Sequence, residues 1–468
     1  MLFQNFGRGG FLKVATYAAI TFSAYICVGL NRSYTAFLNH YLSEPDSIIK
    51  ITDEQKSWLA SSIGYLSPVG SLFSGTVMDF FGRKVFLSMI FIPFAISWLT
   101  ISLAKSYTVL LLGMMLQGLG GGMSSCVSVY ISEISSREHR GALLGFITVA
   151  YNCGVLICNL LNYNFMWNVS SIVCLCISIT FMAVTITFLP ESPVWLHSKG
   201  RTEEAIEILS SLRGADRDKL ESEIKDMEKR TREPIKTTFS QTFKNIRKAW
   251  KQLLVITVLF VLMQHTGYSI MIAYTLLVFD RLNLPLDSSK ITVLYSTFGF
   301  ISSFTTPIFM HRFGRKTVLS VSSLGMAIAM VIVGVYEELF YYESTKMYVW
   351  IVPIAFYVYV FACNTGVYPI GFIIGGEVFP TEVRGTMNGI YGVFSSIYWV
   401  STLKLYPKVM FYFGIKTMIW SFAVSSFILC LYGKFLLPET KGKTLNEIQE
   451  QYFQRKKPTG KDVPQSTA

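Results

Sequence analysis

Nine ionisable residues stand where apolar runs end: Asp79, Arg83, Glu133, Arg140 and Glu191 early in the chain, and Arg315, Glu377, Arg384 and Glu439 late in it. Their surroundings repeat. Asp79-Phe80-Phe81-Gly82-Arg83-Lys84 is echoed by His311-Arg312-Phe313-Gly314-Arg315-Lys316, and Pro190-Glu191 by Pro438-Glu439. Glu133 stands as far before Arg140-Gly141 as Glu377 does before Arg384-Gly385. Acids and bases at such boundaries suit pairing rather than catalysis, because an ionised group at membrane depth costs a few kcal/mol unless compensated. Ion pairs at helix ends break when one side of a bundle opens and re-form when it closes, which makes them a switch that a solute can bias. Simple anchoring of helices at the interface is the other reading of these charges. The sequence holds no phosphate-cradling loop, metal-ligand cluster or nucleophile–base signature. Neither enzymatic activity, nor a cofactor, nor a bound metal is therefore expected.

The elements that must position these groups are apolar. The chain has 468 residues, 51% hydrophobic and only 15% charged, against roughly 25% charged in soluble domains. Crossing the hydrocarbon core takes about 20 apolar residues. Twelve such runs are predicted at 12–37, 58–78, 85–104, 108–131, 141–162, 166–189, 253–278, 291–310, 317–335, 349–374, 386–406 and 415–437. The expected fold is all-α: a polytopic membrane protein with two pseudo-symmetric halves of six helices. Residues 1–11 would form the N-terminus, 12–189 the first bundle, 190–252 a linker, 253–437 the second bundle and 438–468 the tail.

Arg83-Lys84, Arg137, Arg140, Arg312, Arg315-Lys316, Arg384 and Arg455-Lys456-Lys457 fall on one side, with the charged segment from His197 to Lys251. By the positive-inside rule that side, with both termini, is cytoplasmic. The net charge of +12 follows from this bias. No basic tract alternates with aromatics as a nucleic-acid groove would require, so the expected partners are the bilayer and a small solute. Oligomeric state is not encoded in any readable pattern. The eight cysteines lie in apolar runs and read as packing residues. In the linker, Thr202-Glu203-Glu204 begins a helix whose apolar stripe is Ala205, Ile208, Leu209 and Leu212, with Gly214 as the stop. Asp216 to Arg232 reads as a second, highly charged helix.

The duplicated loop motifs, Tyr130-Ile131-Ser132-Glu133 through Arg140-Gly141, Pro190-Glu191-Ser192-Pro193, Gly376-Glu377-Val378-Phe379-Pro380 and Pro438-Glu439-Thr440 resemble the signatures of the sugar porters of the major facilitator superfamily. The likeness covers essentially the whole chain, and the insect facilitated trehalose transporters are the subgroup it most resembles. It implies a solute path between the halves, lined by amide and hydroxyl side chains that read a neutral polyol. Carried over residue by residue, it points to Thr148 and Asn152 in the fifth span, Gln264, His265, Ser269 and Tyr274 in the seventh, and Asn364 and Phe372 in the tenth.

Departures accompany the match. Met263, Ser269, Gly299 and Phe372 stand where the family carries glutamine, asparagine, asparagine and tryptophan. Phe80, His311 and Met114 replace charged residues of the loop and fourth-span motifs. The proton-coupled relatives carry a first-span aspartate; here that place holds Asn31, and no acid occurs from Phe11 to Leu38. The expectation is thus a facilitative uniporter of a small polar solute, a sugar such as trehalose or glucose, in the plasma membrane. The alternatives are a sensor on the same fold that has lost turnover, and a carrier of a non-sugar solute. Arg32 is expected to snorkel to the outer interface, with an anionic solute as its second explanation.

Overall fold

The computed structural model describes residues 8–44, 47, 49–136, 140–214, 220, 250–282, 284–340, 347–379 and 384–441. The charged helix expected at 216–232 and the distal tail lie outside them. Twelve helical spans cross the molecule. The first half comprises α1 (Arg8–Tyr41), α2 (Asp53–Ser62 and Ser67–Phe81), α3 (Arg83–Met89 and Phe91–Ser102), α4 (Tyr107–Met123 and Cys126–Ile134), α5 (Arg140–Asn164) and α6 (Trp167–Phe188). The second comprises α7 (Trp250–His265 and Tyr268–Arg281), α8 (Ser288–Ser303 and Thr305–Arg312), α9 (Arg315–Phe340) and α10 (Ile351–Ala362, a π turn Cys363–Val367, then Tyr368–Val378). A continuous helix Arg384–Phe435 turns at Gly414 (φ 76°) and so supplies α11 (384–413) and α12 (415–435).

Ten of these segments are long and apolar enough to span a bilayer on their own. The Arg384–Phe435 segment contributes two spans, and α2 is broken at 63–66, which accounts for the remainder. Exposed Ile, Leu, Val and Phe side chains coat the outer faces of the spans, as a lipid-facing surface requires. Small residues bring the inner helices close. A Cβ at Gly29 would sit 2.1 Å from the Tyr151 carbonyl oxygen, and one at Gly154 2.1 Å from that of Ile26, so α1 and α5 touch backbone to backbone. The halves meet where α5 packs on α8, α1 on the second piece of α7, and α2 on α11.

In the linker, the helix Thr202–Arg213 buries Ala205, Ile206, Leu209 and Leu212 and ends on left-handed Gly214. Ile208 of the expected stripe is partly buried against the core, Ile206 is buried as well, and the helix begins at Thr202 as expected.

Candidate solute cavity and the contacts that close it

A cavity of ≈ 280 Å³ lies between the halves. Its walls come from α1 (Tyr25, Arg32, Thr35), α2 (Ala60, Gly64, Ser67), α7 (Gln264, Tyr268, Ser269), α10 (Tyr368) and α11 (Ser395, Ser396, Trp399), with Tyr151 of α5 behind. Helix 7 reaches the wall broken: Gly267 adopts φ 93°, a left-handed conformation that glycine takes without a Cβ penalty. Gln264 and Ser269 flank that break. The Ser269 hydroxyl donates to Gln264 Oε1 at 2.7 Å, so the amide is fixed in orientation while it lines the cavity.

The other residues assigned to solute binding are placed elsewhere. Asn152 and Asn364 exchange amide hydrogen bonds across the halves at 3.4 Å, and Asn364 Nδ2 also donates to the Gly299 carbonyl at 3.0 Å. A Cβ at Gly299 would meet both amides at 3.4 Å, so the missing asparagine of α8 leaves the space that this pair fills. Neither amide is on the cavity wall. Thr148 supplies its carbonyl to Asn152 Nδ2 at 2.9 Å. The Tyr274 hydroxyl donates to the Leu403 carbonyl at 3.1 Å from a non-helical turn inside α7. His265 Nε2 meets Tyr398 Oη at 2.6 Å, away from the cavity wall. Phe372 lies in α10, its side chain outside what the structure describes.

Arg32 is where the sequence reading fails most clearly. It faces the cavity instead of the outer interface, its guanidinium 3.7 Å from the Trp399 ring centroid. The signal for this placement is helical phase: Arg32 stands between buried Asn31 and Ser33, on the stretch of α1 that packs against α5.

The duplicated charges form one cluster at the base of each half. Arg83 makes a bidentate pair with Glu133 (Nε to Oε2 3.1 Å, Nη2 to Oε1 3.0 Å), and its Nη1 lies 3.0 Å from Asp79 Oδ1. Ser192 Oγ also donates to Glu133. Arg140 Nη2 donates to the Ser132 carbonyl at 2.8 Å. Glu191 takes a different part: its carboxylate accepts from the backbone N–H of Arg83 (2.8 Å) and Lys84 (3.2 Å), the start of α3. Glu439 does the same for α9, accepting from the N–H of Arg315 (2.9 Å) and Lys316 (3.2 Å). Both acids act as N-terminal caps that offset the helix dipole. The glycine ahead of each helix makes room: a Cβ at Gly82 would lie 2.4 Å from Glu191 Oε2, and one at Gly314 2.2 Å from Glu439 Oε2. Arg315 Nη1 donates to the Met310 carbonyl at 3.1 Å. Glu377 and Arg384 have described backbones only.

On the opposite face the contacts run between halves. Trp58 of α2 lies under Lys404 of α11, 3.2 Å from nitrogen to ring centroid, as Trp399 of α11 lies under Arg32 of α1. A Cβ at Gly64 would meet Val400 at 2.1 Å, and His40 of α1 is 3.7 Å from Asp280 of α7. Toward the basic face, Gly121 and Gly392 line the cavity and face open space. α5 and α8 also touch across the halves toward that face, where a Cβ at Gly145 would meet Pro307 at 3.2 Å.

Two six-helix halves around a central cavity with a few polar side chains on its wall define a membrane carrier fold. The "Sugar (and other) transporter" family model matches residues 16–452, and the chain belongs to that family. It is 28% identical to the facilitated trehalose transporter Tret1 of Polypedilum vanderplanki, over 87% of this chain and 81% of that protein. It is 27% identical to Tret1 of Apis mellifera ligustica, over 92% of this chain and 86% of that one. The proton:xylose symporter XylE bound to 6-bromo-6-deoxy-D-glucose superposes with a TM-score of 0.75 at 19% identity, covering 94% of this chain and 99% of its own. The inward open conformation of XylE from E. coli gives 0.74 at 18% identity, over 94% and 99%.

Proposed function

We propose that this protein is a facilitative uniporter that moves a small polar solute of the sugar class across the plasma membrane by alternating access, with both termini cytoplasmic. The observation that carries the reading is a cavity enclosed between two six-helix halves, with the Arg32–Trp399 and Lys404–Trp58 contacts bridging the halves on the face away from the basic loops. The relatives, facilitated trehalose transporters of two insects, support the solute class. Passive transport is favoured by α1, which carries no acid from Arg8 to Tyr41; proton coupling needs a titrating carboxylate at membrane depth. Gln264 and Ser269 contact the solute, and the charge clusters hold each half rigid as the halves rock. Glu377 and Arg384 complete the set in the second half.

Uptake into vesicles holding the purified protein tests this. Saturable uptake of labelled trehalose or glucose, of equal rate with and without a pH gradient, is expected. Uptake that needs the gradient would overturn the uniport, and binding of solute without any uptake would make the protein a sensor.

A further inference from the structure

We infer that the solute carries an anionic group, a carboxylate or a phosphate, seated on Arg32; this deepens the carrier reading and rests on it. A guanidinium is ionised at every working pH and presents five donors in one plane. That of Arg32 stacks on Trp399 at 3.7 Å. Stacking engages its face and leaves the in-plane N–H edge available. No hydrogen bond from that edge to any described residue is present, and no described residue on the cavity wall is acidic. Around it stand Tyr151, Tyr268 and Tyr368, with ring centroids 5.2 Å apart for Tyr151 and Tyr368 and 4.7 Å for Tyr268 and Tyr368. The Tyr268 hydroxyl is buried and has no hydrogen-bond partner.

The cavity therefore offers a net positive charge beside the Gln264 amide and the Ser269 hydroxyl. The second piece of α7 begins at Tyr268 with no side chain capping it, which adds the positive end of a helix dipole along the same wall. A neutral sugar would leave the cation without a counter-charge in a confined, poorly solvated space, a cost that an anionic group removes. Arginine matches both carboxylate and phosphate through two parallel hydrogen bonds. A polyol bearing one such group would set its charge on Arg32 and its hydroxyls on Gln264 and Ser269.

The test compares D-glucuronate, glucose 6-phosphate and D-glucose as labelled solutes, in vesicle uptake and in equilibrium binding to the purified full chain. One of the anions is expected to enter at least about tenfold more efficiently than glucose, and which one does so identifies the group. Arg32→Gln is expected to lower the anion-to-glucose ratio by roughly 10- to 100-fold. Arg32→Lys, which keeps the charge and loses the fork, falls between. Glucose uptake equal to that of both anions, or an equal loss for all three solutes in Arg32→Gln, would overturn the inference. Anion binding without uptake would keep it and sink the carrier reading; the absence of anion binding would sink it whatever glucose does.

Discussion

On the basic face, carboxylates meet arginine and helix N-termini, and every contact described for Arg83, Glu133, Glu191 and Glu439 stays inside one half. On the opposite face, arginine and lysine meet tryptophan, and those contacts join the two halves. The chemistry differs as the mechanical duty does. Separating a buried, bidentate ion pair leaves an uncompensated charge and costs several kcal/mol, which suits a joint that must hold. A cation on an aromatic face is worth about 0.5–2 kcal/mol and loses little when water replaces the ring. Such a contact can open and close with thermal energy. The clasp is also reciprocal: the first half lends Arg32 and Trp58, the second Trp399 and Lys404, so each half gives one cation and one ring.

Three substitutions sharpen or break this contrast. Glu133→Ala removes the bidentate partner of Arg83 and the acceptor of Ser192, leaving Arg83 only the exposed Asp79, in a setting where both members of the pair are about nine-tenths covered. It is expected to reduce unfolding stability by about 3–5 kcal/mol, read as a large fall in the thermal midpoint in detergent. A loss below about 1 kcal/mol would mean that the base of the first half is not held by this pair. Gly82→Ala puts a Cβ against Glu191 and forces a side chain into φ 98°. The expected loss is about 2 kcal/mol from strain and from the disturbed cap together, again in stability rather than in the balance of open states. Lys404→Met removes one cation of the clasp and should behave in the opposite way. The thermal midpoint stays put, while labelling of an Ala60→Cys reporter by an impermeant reagent from the clasped face rises about fivefold, the effect of ~1 kcal/mol. If labelling does not change, the cation–aromatic pairs do not hold that face shut.

The frame was legible in the sequence because duplication prints the same residues twice. Gly82-Arg83 with Glu191 and Gly314-Arg315 with Glu439 marked where α3 and α9 begin, and both halves build the same capped turn there. The part the two glutamates play was less legible: a carboxylate near arginine reads as an ion pair, and only coordinates show that it takes the backbone N–H instead. The cavity was harder still. Gln264 and Ser269 were within reach because the family resemblance carries over to the seventh span residue by residue. Asn152 and Asn364 look like ideal ligands for a sugar, yet they satisfy each other and the Gly299 carbonyl, a pairing between residues far apart in the chain that no local pattern encodes. Arg32 was misplaced because distance from a helix end suggests snorkelling, whereas the rotation of α1 about its axis decides where a long side chain goes.

The break at Gly267 gives the molecule leverage. The segment beyond it, Tyr268–Arg281, has 14 residues with a bend at Tyr274 and so reaches at most about 21 Å. Its near end is wedged against the Phe422 ring, which a Cβ at Gly267 would approach to 2.5 Å; its far end carries Leu276, packed with Phe37, and Asp280, beside His40. A rotation of about 10° at the glycine, carried through the bend at Tyr274, swings that far end through at most about 4 Å, while the near end scarcely moves. The fulcrum sits beside the cavity and the load at the far rim.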